Sequence, residues 1–232
     1  MIKLRLIGDI HGNVTKLLEF TKDYDNYDLA IQLGDFGFLK AYAELINAEI
    51  SSKVRFFEGN HDHIEFLVNS PPLGNKLPLD GTNIRKHYLG RYGRLTLMDD
   101  DGFKKVYWVG GGFSINRKFL TPGLNWFPEE EIPISEHPKI LEDYLKYKPD
   151  VMLSHEAPRE IANLISSPAT LKNYGFNPET FTTNTSELLQ DMYNAWQPKT
   201  WFFGHFHMNV VVPKEKTVFQ CVDSLHYVDV IL

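Results

Sequence analysis

Cysteine is almost absent. Cys221 is the only one in 232 residues, so no intrachain disulfide can form and a reducing compartment fits. Basic residues are outnumbered, with 24 Lys and Arg against 30 Asp and Glu and a net charge of −6. That balance argues against a broad nucleic-acid-binding surface, although a local basic channel stays open. No apolar run approaches the ~18 residues that a membrane-spanning helix needs. No basic segment with an apolar stretch behind it precedes Ile2–Ile7, so no secretory signal is read. Internal repeats and low-complexity tracts are lacking too. These absences point to a cytoplasmic protein with a hydrophobic core, for which 43% hydrophobic residues is an ordinary share.

What is present is an alternation of short apolar runs with polar loops. Ile2–Ile7 reads as a strand running into Gly8-Asp9-Ile10-His11-Gly12. Val14, Leu17, Leu18 and Thr21 recur at helical spacing, which predicts a helix over Asn13–Tyr24 capped by Asn13. Leu29–Leu33 is a second strand ending at Gly34-Asp35, and Tyr42–Ser51 a second helix. Val54–Phe57 is a third strand, ending at Gly59-Asn60-His61-Asp62. Strands joined by short helical crossovers imply a mainly parallel sheet, whose ligands gather at the carboxyl ends of the strands.

Farther on, Ser70–Gly93 is mostly loop, with a strand over Ile84–Leu89. Arg94–Met98 and Phe103–Val109 flank an Asp99-Asp100-Asp101-Gly102 turn. That turn lacks the spacing and closing Glu of a calcium loop. Pro138–Lys148 reads as a helix and Val151–Leu153 as a strand ending in Ser154-His155-Glu156. Asn184 with Glu187 resembles a capping box opening a helix. Trp201–Phe203 ends in Gly204-His205-Phe206-His207, and Val210–Val212, Thr217–Val222 and Tyr227–Leu232 close the chain as strands. No linker divides it, so residues 1–232 read as one domain.

The strand-end loops carry Asp9, His11, Asp35, Asn60, His61, His155, His205 and His207. Mixed carboxylate, imidazole and amide ligands suit Mn, Fe, Zn or Ni, and without thiolates a Cys-type zinc site is excluded. Seven such ligands exceed one tetrahedral site and suit two adjacent ions. Two divalent ions with two aspartates and a hydroxide leave a site near about +1, which prefers an anionic oxygen ligand. Such a pair favours displacement at phosphorus.

Gly8-Asp9-Ile10-His11-Gly12, Gly34-Asp35, Gly59-Asn60-His61-Asp62, Ser154-His155 and Gly204-His205-Phe206-His207 together resemble the calcineurin-like metallophosphoesterases. Gly110–Gly112, Ser114, Arg117 and Trp126-Phe127 look like its small prokaryotic and phage branch. The resemblance implies an α/β fold with two packed mixed β-sheets flanked by helices, a four-layer sandwich. It also implies two divalent ions, Mn2+ ahead of Fe, Zn or Ni. Asp9, His11 and His207 would hold one ion and Asn60, His155 and His205 the other, with Asp35 bridging. His61 would contact the phosphate and protonate the leaving oxygen after attack by a metal-activated hydroxide.

One departure bears on substrate. The protein-phosphatase branch follows its second motif with an Asp and an Arg, whereas Gly34-Asp35 continues as Phe36-Gly37-Phe38-Leu39. That shifts the expected substrate toward a phosphodiester or nucleotide-type ester. A phosphomonoesterase or protein phosphatase is the alternative, and a non-catalytic interaction platform on the same fold is the rival from another class. Arg117 is a candidate phosphate grip, Asp62 a candidate partner for His61, and His63 a candidate cleft residue. Trp108, Phe113, Trp126 and Phe127 are candidate base-stacking rings or core residues. His87, His137 and His226 read as structural or surface residues, and Cys221 as buried and inert.

Overall fold

Alternation of side chains sorts most strands into two faces, and the two inner faces meet. β1 (Lys3–Ile7) sends Leu4 and Leu6 one way and Ile7 the other. β2 (Leu29–Gln32) and β3 (Val54–Phe56) lie beside it in parallel, and β10 (Tyr227–Ile231) pairs antiparallel on its other edge. The first sheet therefore runs β10-β1-β2-β3. The second is built from β4 (Tyr92–Asp99), β5 (Gly102–Val109), β6 (Val151–Ser154), β7 (Thr200–Phe203), β8 (Val210–Lys214) and β9 (Thr217–Cys221), in the order β4-β5-β6-β7-β9-β8. Its β5, β6, β7 and β9 are parallel neighbours, and β4 and β8 pair antiparallel at the edges. The structure is a computed structural model that describes residues 1–37, 51–69, 87–99 and 102–232.

Between the sheets Leu4, Leu6, Ile31 and Leu33 pack against Val106, Trp108, Val151, Leu153 and Phe202. The outer face of the first sheet carries Ile7, Ala30, Val54 and Phe56 against Val14 and Leu17 of the helix Val14–Thr21. The outer face of the second carries Tyr107, Met152, Trp201 and Phe203. Ile140 and Tyr144 of the helix His137–Tyr147, and Leu188, Leu189 and Met192 of the helix Asn184–Ala195, cover it. Helix, sheet, sheet, helix is the four-layer order expected of the sequence.

A buried cation ties the first sheet's edge. Arg5 is 4% exposed, yet its Nε and Nη2 each donate to the Asp229 carboxylate at 2.8 Å. Asp229 is its register partner on β10, and the guanidinium lies over the Tyr227 ring, 4.2 Å from its centroid. A paired, stacked Arg is the form in which a strand interior tolerates charge.

Several boundaries differ from the sequence reading. Asn13 does cap the first helix, accepting from the Lys16 N–H at 3.1 Å, but the helix ends at Thr21. The cap before Asn184–Ala195 is Thr183, one residue earlier than the capping box read at Asn184; its hydroxyl accepts from Ser186 N at 3.0 Å. Glu187 instead pairs with Arg159 at 3.0 Å. The sheets are mixed, as the resemblance implied, with antiparallel pairs at β10, β4 and β8. The helix expected over Tyr42–Ser51, most of the Ser70–Gly93 loop and the centre of the Asp99–Gly102 turn lie outside the described residues. Among the described residues no helix is long and apolar enough to cross a membrane.

Leu153 is fully buried between the sheets. Leu153→Ala should cost about 2–5 kcal/mol in urea unfolding at unchanged m, the range for a buried Leu whose cavity does not collapse.

Candidate metal centre

The carboxyl ends of β1, β2, β3, β6 and β7 open side by side, and each loop that follows delivers one or two donors. Asp9 and His11 follow β1, Asp35 follows β2, Asn60 and His61 follow β3, His155 follows β6, and His205 and His207 follow β7. Backbone bonds lock these loops together. Ile10 and His11 donate to the Asp35 carbonyl at 3.2 and 2.9 Å, and Gly204 N donates to the His155 carbonyl at 3.1 Å. Four donor residues sit in the left-handed region, namely His11 (φ 43°), Asp35 (55°), His205 (67°) and His207 (49°). Non-glycine residues there are uncommon and cost of order 1–3 kcal/mol each, so such a cluster marks a site whose geometry is held by its surroundings.

Ligand atoms of Asp9, His11, Asp35 and His207 all lie within 4.8 Å of one another. His207 Nε2 is 2.9 Å from His11 Nε2 and 3.1 Å from Asp9 Oδ2. Asp35 turns Oδ2 toward His11 Nδ1, at 3.8 Å, and Oδ1 toward His155 Nε2, at 3.3 Å. Around that second oxygen, Asn60 Oδ1 stands 2.9 Å from both His155 Nε2 and His205 Nδ1. Two donors on one ion, each about 2.1 Å from it and meeting near a right angle, stand about 3 Å apart. Most of these spacings have that size, so the donor set fits a divalent cation.

Neighbours fix which atoms face inward. His155 Nδ1 donates to the Leu33 carbonyl at 2.8 Å, which turns Nε2 into the cluster. The Asn60 amide donates through Nδ2 to Ser114 Oγ at 2.9 Å, which leaves Oδ1 for the histidines. Sequence reasoning gave Leu33 and Ser114 no such role, because contacts across two sheets leave no spacing signal. Asp62 has a role of its own at the loops. Its carboxylate accepts from the backbone N–H of Gly59 (2.8 Å), Gly37 (2.8 Å) and Phe36 (3.2 Å), and so ties the second and third loops.

The electrostatics call for positive charge. Burial alone would raise Asp35, but the charge and hydrogen bond of His155, with His61 and His11, hold it well below the usual carboxylate range. Burial alone would lower His155, but Asp35 holds it up at about 10. His205 is pushed down to about 3 by burial and by His155, which keeps its ring a neutral lone-pair donor. The Asp9 hydrogen bond raises His207, while burial lowers His61. A divalent ion meets the same demand for charge that Asp35 makes of His155.

Phe113 lines the cavity that opens from this cluster, and the other candidates are held by contacts of their own. Arg117 stacks on Phe113, 4.1 Å from the ring centroid, with Glu130 4.0 Å from its Nη1. His63 accepts from Phe66 N at 2.9 Å and packs on Phe127. Trp108 lies in the core between the sheets, and Phe127 is buried. Cys221 is buried, and burial pushes its thiol up to about 12. His87 is buried against the Val54 carbonyl, and His226 is exposed.

A cavity of about 460 Å³ opens from Asp35, Asn60, His61, His205 and His207. It extends under the helices Arg159–Ile165 and Pro168–Asn173 to Phe181 and Thr183. The sequence reading assigned that wall nothing beyond Ser114 and Phe113.

Two mixed sheets whose loops gather carboxylates, an amide and imidazoles around one buried aspartate define a metallophosphoesterase-type protein. The chain belongs to the calcineurin-like phosphoesterase family, whose model matches residues 2–209. It is accordingly a metal-dependent phosphoesterase. No curated protein matches it in sequence. Among solved structures, TT1561 of Thermus thermophilus superposes with a TM-score of 0.59 at 13% identity, covering 97% of this chain and 90% of that one. The phosphopantetheinyl hydrolase PptH of Mycobacterium tuberculosis gives 0.54 at 14%, covering 96% and 90%. GAP50, the anchor in the inner membrane complex of Plasmodium, gives 0.51 at 12%, covering 97% and 73%. At these identities the likeness is one of fold.

Gly59 marks how tightly the centre is closed. A Cβ there would stand 2.2 Å from Asp35 Oδ1, 2.4 Å from Asp35 N and 2.6 Å from His155 Nε2. Gly59→Ala should therefore weaken Mn2+ binding by at least about tenfold in calorimetric titration, as loss of ligand positioning does elsewhere.

Proposed function

We propose that the chain hydrolyses a phosphate ester at a centre of two divalent ions, with a phosphodiester or nucleotide-type substrate and with His61 as proton donor. The observation that carries this reading is the split of Asp35, whose two oxygens face two different sets of donors. Asp9, His11 and His207 would hold one ion, Asn60, His155 and His205 the other, and Asp35 both. When bound, the ions supply Lewis-acid charge and a water of lowered pKa; Mn2+ is favoured by the mixed oxygen and nitrogen donors.

The remaining work falls to the protein. His61 lines the cavity beside Asp35 and Asn60, and its backbone N–H donates to Asp35 Oδ1 at 2.7 Å, which anchors the residue to the centre. As a water oxygen bonds to phosphorus, the P–O bond to the leaving group breaks, and that oxygen takes the His61 proton. Before substrate arrives, burial holds the His61 imidazole below its ordinary value. An arriving phosphate raises it, so the proton is held while substrate is bound. Among the described residues no Lys or Arg lines the cavity. A singly charged diester asks for less protein charge than a doubly charged monoester, which supports the diester or nucleotide-type lean over a protein phosphatase. The fold is shared with an anchor protein, so fold by itself does not distinguish catalyst from platform. A histidine in the cavity beside the donor set favours the catalyst.

His61→Ala should keep its metal content and turn over bis(p-nitrophenyl) phosphate about 10²–10⁴-fold more slowly. An unchanged rate removes His61 from the reaction. In the unsubstituted enzyme kcat/KM should fall as pH rises through a value below 6.5, the ordinary histidine value, and that limb should vanish in His61→Ala. Asp35→Asn should lose both metals together in elemental analysis; loss of one alone would end the bridging assignment. Metal-loaded protein with no turnover of either a diester or a monoester would favour the platform.

A further inference from the structure

The cavity continues well past the donor cluster, and its far wall has a chemistry of its own. Phe113, Tyr174, Phe181 and Phe206 supply aromatic surface, and Thr183 and Ser186 lie beside Glu156. Glu156 is 3% exposed. Its Oε1 accepts from the Thr183 hydroxyl at 2.8 Å, and its Oε2 has no hydrogen-bond partner among the described residues. The Thr183 hydroxyl itself accepts from Ser186 N at 3.0 Å, so its one proton is committed to Oε1. A buried carboxyl oxygen without a partner costs about 1–3 kcal/mol and calls for an outside group. Among the described residues this wall offers no cation to pair with further phosphates.

We infer that this cavity is the leaving-group subsite, fitted to an uncharged alcohol with a flat apolar body whose hydroxyl pairs with the Glu156 carboxyl. The assignment rests on the phosphoesterase reading for what happens at phosphorus, but the subsite itself binds the unphosphorylated alcohol. A hydroxyl both gives and accepts a hydrogen bond, so it suits that carboxyl in either protonation state. The aromatic wall supplies the remaining affinity, and about 460 Å³ lies within the range of small-molecule pockets. Nucleoside-sized alcohols meet these demands, whereas a nucleoside whose tail carries several phosphates would set unpaired negative charge against the same wall.

The test is calorimetric titration of the Mn2+-loaded protein with adenosine and with ribose, which share hydroxyls but differ in the ring. Adenosine should bind at least about tenfold tighter. Glu156→Leu should lose about tenfold in adenosine affinity, the effect of one hydrogen bond of about 1.4 kcal/mol. Glu156→Gln, which keeps the Thr183 bond and a polar atom in place of Oε2, should stay within about threefold of the unsubstituted protein. Equal binding of adenosine and ribose overturns the subsite, and so does a folded Glu156→Leu protein with undiminished adenosine affinity. Turnover of bis(p-nitrophenyl) phosphate or p-nitrophenyl phosphate is measured in parallel. Turnover without adenosine binding sinks the subsite and spares the phosphoesterase reading; adenosine binding without turnover does the reverse.

Discussion

The centre depends on one buried carboxylate. Asp35 lies at 1% exposure among His11, His61, His155 and Asp9. Removing a carboxylate from water costs several kcal/mol unless positive charge or hydrogen bonds replace the lost solvation. The loops answer with His155 on one oxygen, His11 on the other and the His61 N–H on the first. A divalent cation is the stronger answer. The same charge that stabilises Asp35 is what a phosphate ester would meet.

Holding that carboxylate in place takes most of the fold. Side chains packed between the two sheets fix the strand ends, and the strand ends carry loops in conformations that cost energy. The left-handed turns at His11, Asp35, His205 and His207 persist because neighbouring loops share backbone bonds and Asp62 bridges two of them. Gly34 and Gly59 have no side chain for a plain reason: the His155 ring and the Asp35 carboxylate occupy the volume a Cβ would take. Loop strain, close approach and buried charge are thus parts of one arrangement.

Much of the donor set was legible beforehand, because glycine and aspartate or histidine directly after a short apolar run are local signals. The strands β1, β2, β3, β6 and β7 were read from the same runs, and β1, β2 and β3 in one sheet and β6 and β7 in the other do pair in parallel. The cap of the helix Asn184–Ala195 was misplaced by one residue because Thr183, Asn184 and Glu187 compete for the same pattern. The role of Asp62 was open, since sequence does not say whether a carboxylate faces a ring or three backbone amides. Of the wall formed by Glu156, Thr183 and the rings of Phe113, Phe181 and Phe206, only Phe113 was singled out beforehand. Its residues are drawn from four separate stretches and each is ordinary in its own.

By itself the sequence determined which residue types stand at the strand ends, and hence the kind of chemistry: hard and borderline donors, no thiolate, one histidine beside an amide. Those are properties of single side chains and of short spacings, which survive without knowledge of the fold. Tertiary structure alone decided which oxygen of Asp35 faces which donors, which histidine nitrogen turns inward and what shape lies beyond His61. Such facts depend on contacts between residues as far apart as Leu33 and His155. They exist only once two sheets have packed and brought distant loops within a few ångströms.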